Sequence, residues 1–202
     1  MSATFLQMTT RIQSEMSRDF TTAQVQAAIL TAIEHYQTKR FWFNEDVATL
    51  ATVASQNYVA LPTDFIEEDA LEITVGSSKY KLDKKMYSEI LEWDRSTSTG
   101  QPQMYAYYKD RFRFFPVPGS IYTLTLHYIK KLPELVSSSD NNSWTNECEE
   151  LIRLRVKKDL YIIARNVKAA QDMGALEQQA LSKIESLNFR KVSTGNIKAR
   201  YL

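Results

Sequence analysis

The densest group of carboxylates in the sequence is the segment DFIEEDALE, which contains Glu67, Glu68 and Asp69 in succession. Two carboxylates in a cleft could act as general acid and general base, as in a small cell-wall hydrolase. The same composition is far more common in a solvated loop, and no other residues are arranged to complete a catalytic site. Catalysis at this segment therefore ranks last among the functions considered.

Residues that bind metals or act as nucleophiles are few. His35 and His127 are the only histidines, and neither has a cysteine or a carboxylate pair at metal-ligand spacing. The single cysteine, Cys148, lies among three glutamates, whose charges raise the pKa of a thiol and argue against a nucleophile. The five glycines are dispersed, so no phosphate-binding loop is present. We expect no enzymatic activity, no cofactor and no metal.

Positive charge is concentrated in the last quarter of the chain. Residues 151–202 carry a net charge of +7, whereas the whole chain carries +1. The weak candidates for DNA contact on a predicted helix in this region are Arg153, Arg155, Lys157 and Lys158. They point around much of the helix circumference, so they do not form one phosphate-binding stripe. A solvated helix face and contact with an acidic partner are both compatible with this pattern.

A second basic segment, YYKDRFRFF, interleaves arginines with aromatic residues. Such a strand could stack bases and bind the phosphates of a single-stranded nucleic acid. The same alternation is typical of a hairpin with its aromatic side chains inward and its charges outward, and this second interpretation is favoured.

Helices are predicted at both ends of the chain. Near the amino terminus, apolar residues recur at helical spacing from Phe5 to Met16, and a second helix follows a cap at Thr21 or Thr22. Near the carboxy terminus, Asn146 is expected to cap a third helix. The apolar stripes of the third and fourth helices are predicted to be Ile152, Val156, Leu160 and Ile163, then Ala169, Met173, Leu176, Ala180, Ile184 and Leu187.

Between these helices the pattern is that of short strands. VATLATVA and NYVALP are predicted to pair as a hairpin, ALEITVGSSKYKL as a second hairpin around Gly76, and MYAYYKDRFRFFPVPG as a third. IYTLTLHYIKKLP is expected to continue the third hairpin, and KKMYSEILEW is expected to form a short helix.

These elements predict an α+β fold, in which amino- and carboxy-terminal helices form a bundle with an inserted antiparallel β-rich subdomain. The expected divisions are helices over 1–46, the β-rich insertion over 47–145, helices over 146–190 and an extended basic tail over 191–202. No apolar run reaches the roughly 20 residues of a membrane span, and the first residues do not resemble a signal peptide. A soluble, cytoplasmically made protein is therefore expected.

Five stretches in this order resemble the adaptor proteins of tailed bacteriophages, also called head-to-tail connector or head-completion proteins. They are AIEHYQTKRFWFNE, NYVALPTDFIEEDALEI, GQPQMYAYYKDRFRFFPVPG, YTLTLHYIKKLPEL and NSWTNECEELIRLRVKKDLY. The resemblance implies a non-enzymatic structural protein at the head–tail junction of the virion, made in the host bacterial cytoplasm. It also implies a homo-oligomeric ring, usually of twelve copies, that contacts the portal protein and a tail nozzle or tail-tube protein. Double-stranded DNA would pass through this ring without sequence-specific contacts, and no membrane would be involved.

Two groups of residues are expected to make contacts in such a ring. Of Phe41, Trp42 and Phe43, one or two are predicted to be buried, while the remaining ring lies in a subunit interface. The tail is predicted to dock on the portal through Lys191, Ile197, Lys198, Arg200, Tyr201 and Leu202. The alternative function is a nucleic-acid-binding module that uses the basic carboxy-terminal helix.

Overall fold

The computed structural model describes residues 3–16, 19–93 and 98–192. The chain forms two compact units. The helical unit comprises Met1–Phe43 and Leu132–Leu202, and the β unit comprises Asn44–Lys131. The predicted α+β fold, with helices from both ends of the chain and an inserted set of mainly antiparallel strands, is confirmed.

The helical unit contains five of the helices in the described part of the chain. They are α1 (Phe5–Glu15), α2 (Thr22–Gln37), α4 (Ser143–Asn146), α5 (Glu149–Ile163) and α6 (Val167–Val192). Thr4 and Thr21 cap α1 and α2, and each forms a reciprocal pair of hydrogen bonds with a glutamine three residues later. The cap predicted at Thr21 or Thr22 is therefore at Thr21.

Three predictions for the carboxy-terminal helices are wrong. The first is the place of Leu176 in the apolar stripe of α6, because this side chain is 42% exposed. Asn146 ends α4 and does not cap α5; Asn142 caps α4, and α5 begins after Cys148 without a side-chain cap. The short helix α4 was not among the helices predicted from the sequence. Ile163 is 66% exposed, because α5 ends there and its last turn extends beyond the apolar core.

The core of the helical unit lies between α1, α2, α5 and α6. Helix α5 is the central element, because it contacts α1, α2, α4 and α6. The largest fully buried side chains of this core are Trp144, Tyr36, Phe41, Met8, Ile12 and Ile29. The apolar stripes of α1 and α2 meet here, as their spacing predicts.

The described residues of the β unit form ten short strands and one helix. They are β1 (Glu45–Ala51), β2 (Tyr58–Ala60), β3 (Phe65–Val75), β4 (Ser78–Lys81), β5 (Asp83–Lys84), α3 (Tyr87–Trp93), β6 (Thr99–Gly100), β7 (Met104–Tyr107), β8 (Arg111–Phe115), β9 (Val117–Pro118) and β10 (Thr123–Lys130). Two four-stranded sheets have the orders β1-β10-β3-β4 and β2-β8-β7-β5, and β6 pairs with β9. Apolar side chains from both four-stranded sheets, among them Leu71, Ile73, Phe112, Phe114, Leu124 and Leu126, form the core.

Two of the three predicted hairpins are present. Strands β3 and β4 pair around Gly76, which has a φ of 61°, a conformation that favours glycine. Strands β7 and β8 form the hairpin predicted for the segment MYAYYKDRFRFF, and α3 is the predicted short helix.

The predicted pairing of VATLATVA with NYVALP is wrong, and so is the predicted continuation of the MYAYYKDRFRFFPVPG hairpin by IYTLTLHYIKKLP. Strand β1 pairs along its whole length with β10, and β2 pairs with β8. Strand β10 therefore lies between β1 and β3 and does not extend the β7–β8 hairpin. The pairing is explained by register, since Leu50 lies opposite Leu124 and Ala48 opposite Leu126, on the face that the core covers.

Candidate functional site

The three consecutive aromatic residues lie beyond the end of α2, where the backbone is no longer helical. Phe41 is 1% exposed, and Phe43 packs against the same core. The rings of Phe41 and Phe43 stack with centroids 5.3 Å apart, and both meet the edge or face of Trp144, at 5.7 and 5.0 Å. Residues 41 and 43 therefore point to one side, and Trp42 lies between them on a different side.

Trp42 is half-buried and contacts residues in the last turns of α6. Its backbone N–H donates to Oδ1 of Asn188 at 2.9 Å, and the Nδ2 of Asn188 donates to the carbonyl of Arg40 at 3.2 Å. The ammonium of Lys191 lies 4.1 Å from the centroid of the Trp42 ring, within cation–π range. Nearby on α6, Phe189 is largely exposed. An aromatic and basic surface thus lies at this end of the helical unit.

The expected tail is only partly covered by the structure. Lys191 lies in the last turn of α6, which extends to Val192, so the helix continues past the predicted boundary at residue 190. The remaining tail candidates, Ile197, Lys198, Arg200, Tyr201 and Leu202, lie outside the described residues.

The four basic residues proposed for DNA contact all face carboxylates of the same chain. Arg153 and Lys157 on α5 reach Glu15 on α1, the latter at 2.9 Å from Nζ to Oε2. Arg11 joins this group by donating to both oxygens of Glu149, at 2.9 and 3.1 Å. Burial tends to raise the pKa of Glu15, but the hydrogen bonds and positive charges of Lys157 and Arg153 outweigh it, and the pKa is lowered.

The other two basic residues surround a buried carboxylate on α6. Glu177 is 1% exposed and accepts hydrogen bonds from the Tyr36 hydroxyl, from Arg155 at 3.4 Å and from Lys158 at 2.5 Å. Arg155 also donates to Asp159 at 3.0 Å. Burial acts to raise the pKa of Glu177, but the bonds from Lys158 and Tyr36 and the neighbouring positive charges dominate, and its pKa is lowered. Burial and the bond to Glu177 raise the pKa of Tyr36.

These contacts reduce the positive charge that α5 offers to another molecule. The side chains of Arg153, Arg155, Lys157 and Lys158 are only 13–22% exposed. A lysine or arginine that is already paired with a carboxylate contributes little free energy to binding a phosphate, because the existing ion pair must first be broken. In the single chain, the basic residues of α5 thus serve chiefly to join α5 to α1 and α6.

Sequence reasoning missed Glu177, although a signal was present. The residue lies on the apolar stripe of α6, four positions after Met173 and three before Ala180. A carboxylate at such a position must be paired if the helix packs by that stripe.

The carboxylates considered for catalysis lie on β3, whose successive side chains point to opposite faces of the sheet. Glu67 and Asp69 are exposed, whereas Glu68 is nearly buried and forms an ion pair with Lys84. Glu67 and Glu68 therefore do not share a cleft. Glu68 and Asp69 do line one shallow pocket, but Lys84 also lines it and is already paired with Glu68.

The histidines and the cysteine have structural surroundings. His35 meets the edge of the Tyr36 ring at 4.8 Å, and burial followed by the charge of Arg155 lowers its pKa. His127 lies 3.9 Å from Glu72. Cys148 is fully buried, and burial, with a smaller contribution from Glu147, raises its pKa to about 12. Within residues 3–16, 19–93 and 98–192, no three potential metal-binding side chains come together.

Comparison with protein families identifies one match that covers nearly the whole chain. A family model described as SU10 adaptor protein matches residues 3–198. Comparison with curated proteins gave no match. In the part of the chain that the structure describes, no helix is both long and apolar enough to cross a bilayer.

Proposed function

The chain belongs to the SU10 adaptor protein family, which indicates a structural phage protein, and we propose that it forms a ring between the portal and the tail of a virion. The observation that carries this proposal is the family match over residues 3–198, which takes in both units. The ring has cyclic symmetry and surrounds the channel through which double-stranded DNA leaves the capsid.

The proposed role requires binding surfaces and no catalytic site. A ring subunit must contact two neighbours and two other proteins, so several separate surfaces are needed. Each unit has its own apolar core, and this arrangement lets their surfaces serve different partners. We expect the ring to hold about twelve copies, to bind the portal on one side and to bind a nozzle or tail-tube protein on the other.

Trp42 is the best candidate of the three aromatic residues for the contact between subunits. Phe41 and Phe43 face the core of their own chain, whereas the Trp42 ring is half-buried and lies beside Lys191 and the exposed Phe189. Aromatic side chains that are only partly covered in one chain are enriched in interfaces, where the partner covers the remainder.

The decisive experiment is sedimentation of the full chain, alone and mixed with the portal ring of the same phage. We expect a small species alone and movement to the portal fraction in near-stoichiometric amount when mixed. A chain that stays away from the portal but sediments with duplex DNA would contradict the adaptor proposal and favour the nucleic-acid-binding alternative.

A truncated chain tests the role of the tail separately. A chain that ends at Val192 keeps all of α6 and Lys191 but lacks Ile197, Lys198, Arg200, Tyr201 and Leu202. We expect it to fold normally and to lose most of its affinity for the portal. Unchanged co-sedimentation would remove the tail from the portal contact while leaving the adaptor role intact.

A further inference from the structure

A connected group of three tyrosines and two arginines lies on the outer face of the sheet β2-β8-β7-β5 and at the start of helix α3, which contacts β7 and β8 and contributes Tyr87. We call it the tyrosine–arginine platform, and its members are Tyr58, Tyr87, Tyr108, Arg111 and Arg113. The strand register places Tyr58 directly opposite Arg113, and the opposite face of β8 supplies Phe112 and Phe114 to the core. The inward aromatics expected for the segment YYKDRFRFF are therefore present, and a second set of aromatic rings lies outside.

Within the platform, two tyrosine rings stack on each other and each arginine contacts a tyrosine. Tyr87 and Tyr108 stack with centroids 4.0 Å apart and planes 6° from parallel. The Arg111 guanidinium lies 4.5 Å from the Tyr58 centroid, and Arg113 donates to the Tyr87 hydroxyl at 3.1 Å. The backbone N–H of Tyr108 donates to the Arg111 carbonyl at 2.9 Å, which ties the two halves of the platform together.

The platform presents planar groups to solvent. One face of the Tyr108 ring is covered by Tyr87, yet the residue is 52% exposed, so the other face is open. Arg111 is exposed and stacks on Tyr58, which is itself partly exposed. When a guanidinium group stacks on an aromatic ring, its N–H groups still point outward in its own plane, where they can donate to an anion.

The positive charges of Arg111 and Lys109 differ from those of α5 in having no carboxylate partner among the described residues. Among the described residues, Arg111 and the neighbouring Lys109 form no ion pair. The nearby Asp110 carboxylate accepts a hydrogen bond from the Tyr107 hydroxyl at 2.9 Å. By contrast, the four basic residues of α5 considered for DNA contact all have carboxylate partners.

We propose that the tyrosine–arginine platform binds single-stranded nucleic acid, with an unpaired base stacked on the open face of Tyr108 and a neighbouring phosphate held by Arg111. Aromatic faces together with unbalanced cations are the features of sequence-independent single-strand sites. In a duplex the bases stack on each other, so Tyr108 could not stack on them and only the phosphate contact would remain. The binding site thus lies on the β unit and not on the basic helix α5.

The test uses fluorescence anisotropy of the full chain with a labelled oligo-dT of about twelve nucleotides and with a duplex of the same length. Tyr108→Ala removes the stacking ring, and Tyr80→Ala is a matched control, because Tyr80 lies on β4 outside the platform and is 51% exposed. Arg111→Ala removes the phosphate contact, and Lys183→Ala removes an exposed cation from α6.

We expect Tyr108→Ala to raise the dissociation constant for oligo-dT about fivefold or more, since stacking contributes substantially to each bound base. Tyr80→Ala and Lys183→Ala should leave it within about twofold. Arg111→Ala should weaken binding and reduce the slope of log affinity against log salt concentration by about 0.7.

Several results would overturn the proposal. One is the absence of oligo-dT binding at low salt, which would leave the platform as a protein-binding surface. Another is equal weakening by Tyr108→Ala and Tyr80→Ala. A third is duplex binding that is as tight as single-strand binding and insensitive to Tyr108→Ala.

Discussion

Glu177 is the residue whose environment departs most from that of an ordinary surface carboxylate. It carries a charge in a nearly inaccessible position and is surrounded by Tyr36, Arg155 and Lys158. Such a group stabilises the fold only while its donors remain in place, because an unpaired charge at this position would be costly. The contacts join α2, α5 and α6, so one side chain links three helices.

Replacing this carboxylate should therefore destabilise the helical unit. We expect Glu177→Gln to lower the free energy of unfolding by about 2–3 kcal/mol, since Lys158 and Arg155 lose their buried counter-charge. Glu185→Gln is the matched control, because Glu185 is exposed on the same helix and its contact with Lys39 is a 3.6 Å surface pair, which predicts a change below about 0.5 kcal/mol. Urea denaturation of the full chain measures both. Equal effects of the two substitutions would show that Glu177 has no special role.

The lowered pKa of Glu177 also predicts how stability changes with pH. A carboxylate with a lower pKa in the folded chain than in the unfolded chain stabilises the fold above its unfolded value, about 4.3. That stabilisation is lost as the pH falls through the folded pKa. We expect the free energy of unfolding to drop between about pH 5 and pH 3, and to drop less in Glu177→Gln. Denaturation curves at these two pH values test this, and identical losses in both proteins would contradict it.

At the scale of elements, the start of α2 provides a prediction that is independent of the core. Thr21 accepts from the backbone of Gln24, and the Gln24 side chain accepts from the backbone of Thr21. Thr21→Ala removes one half of this capping box and should cost about 1 kcal/mol. Thr31→Ala lies in the exposed middle of the same helix, where alanine has the higher helix propensity, so it should be neutral or slightly stabilising. Thermal denaturation followed by circular dichroism compares the two, and similar losses would argue against the cap.

The elements also show what the sequence could and could not predict. Helices α1 and α2 and the β3–β4 and β7–β8 hairpins depend on local spacing and on a turn at Gly76, so their patterns were sufficient. The pairing of β1 with β10 joins residues far apart in the chain, and local alternation contains no information on the partner. The cap at Asn142 was missed for a different reason. Helix α4 has only four residues, which is too short to show a helical period of apolar residues.

The candidate surfaces were predictable only in part. The sequence indicated that the aromatic rings at residues 41–43 could not all point one way, and the structure separates Trp42 from Phe41 and Phe43. The sequence also pointed to the basic residues of α5, and the pair of Arg155 with Asp159 is visible in it as an i,i+4 spacing. The other carboxylate partners, Glu15 on α1 and Glu177 on α6, could not be identified without the packing.

For the whole molecule, the assembly proposal leads to a prediction about Trp42. Trp42→Ala should leave the monomer folded, because its ring is only half-buried, but should weaken ring formation on the portal by about tenfold or more. Trp93→Ala is a useful control, since Trp93 is also partly exposed but belongs to the β unit. Quantitative co-sedimentation with the portal ring measures this effect. A Trp42→Ala chain that assembles normally would exclude Trp42 from the subunit interface.

The burial of Cys148 has a practical consequence. Because it is the only thiol in the chain and its pKa is raised to about 12, it should be almost inert to maleimides at neutral pH while the protein remains folded. A cysteine introduced at an exposed position such as Ser186 could then be labelled selectively without first removing the native residue. Pairs of donor- and acceptor-labelled subunits prepared in this way would report the order and rate of subunit addition in real time by energy transfer.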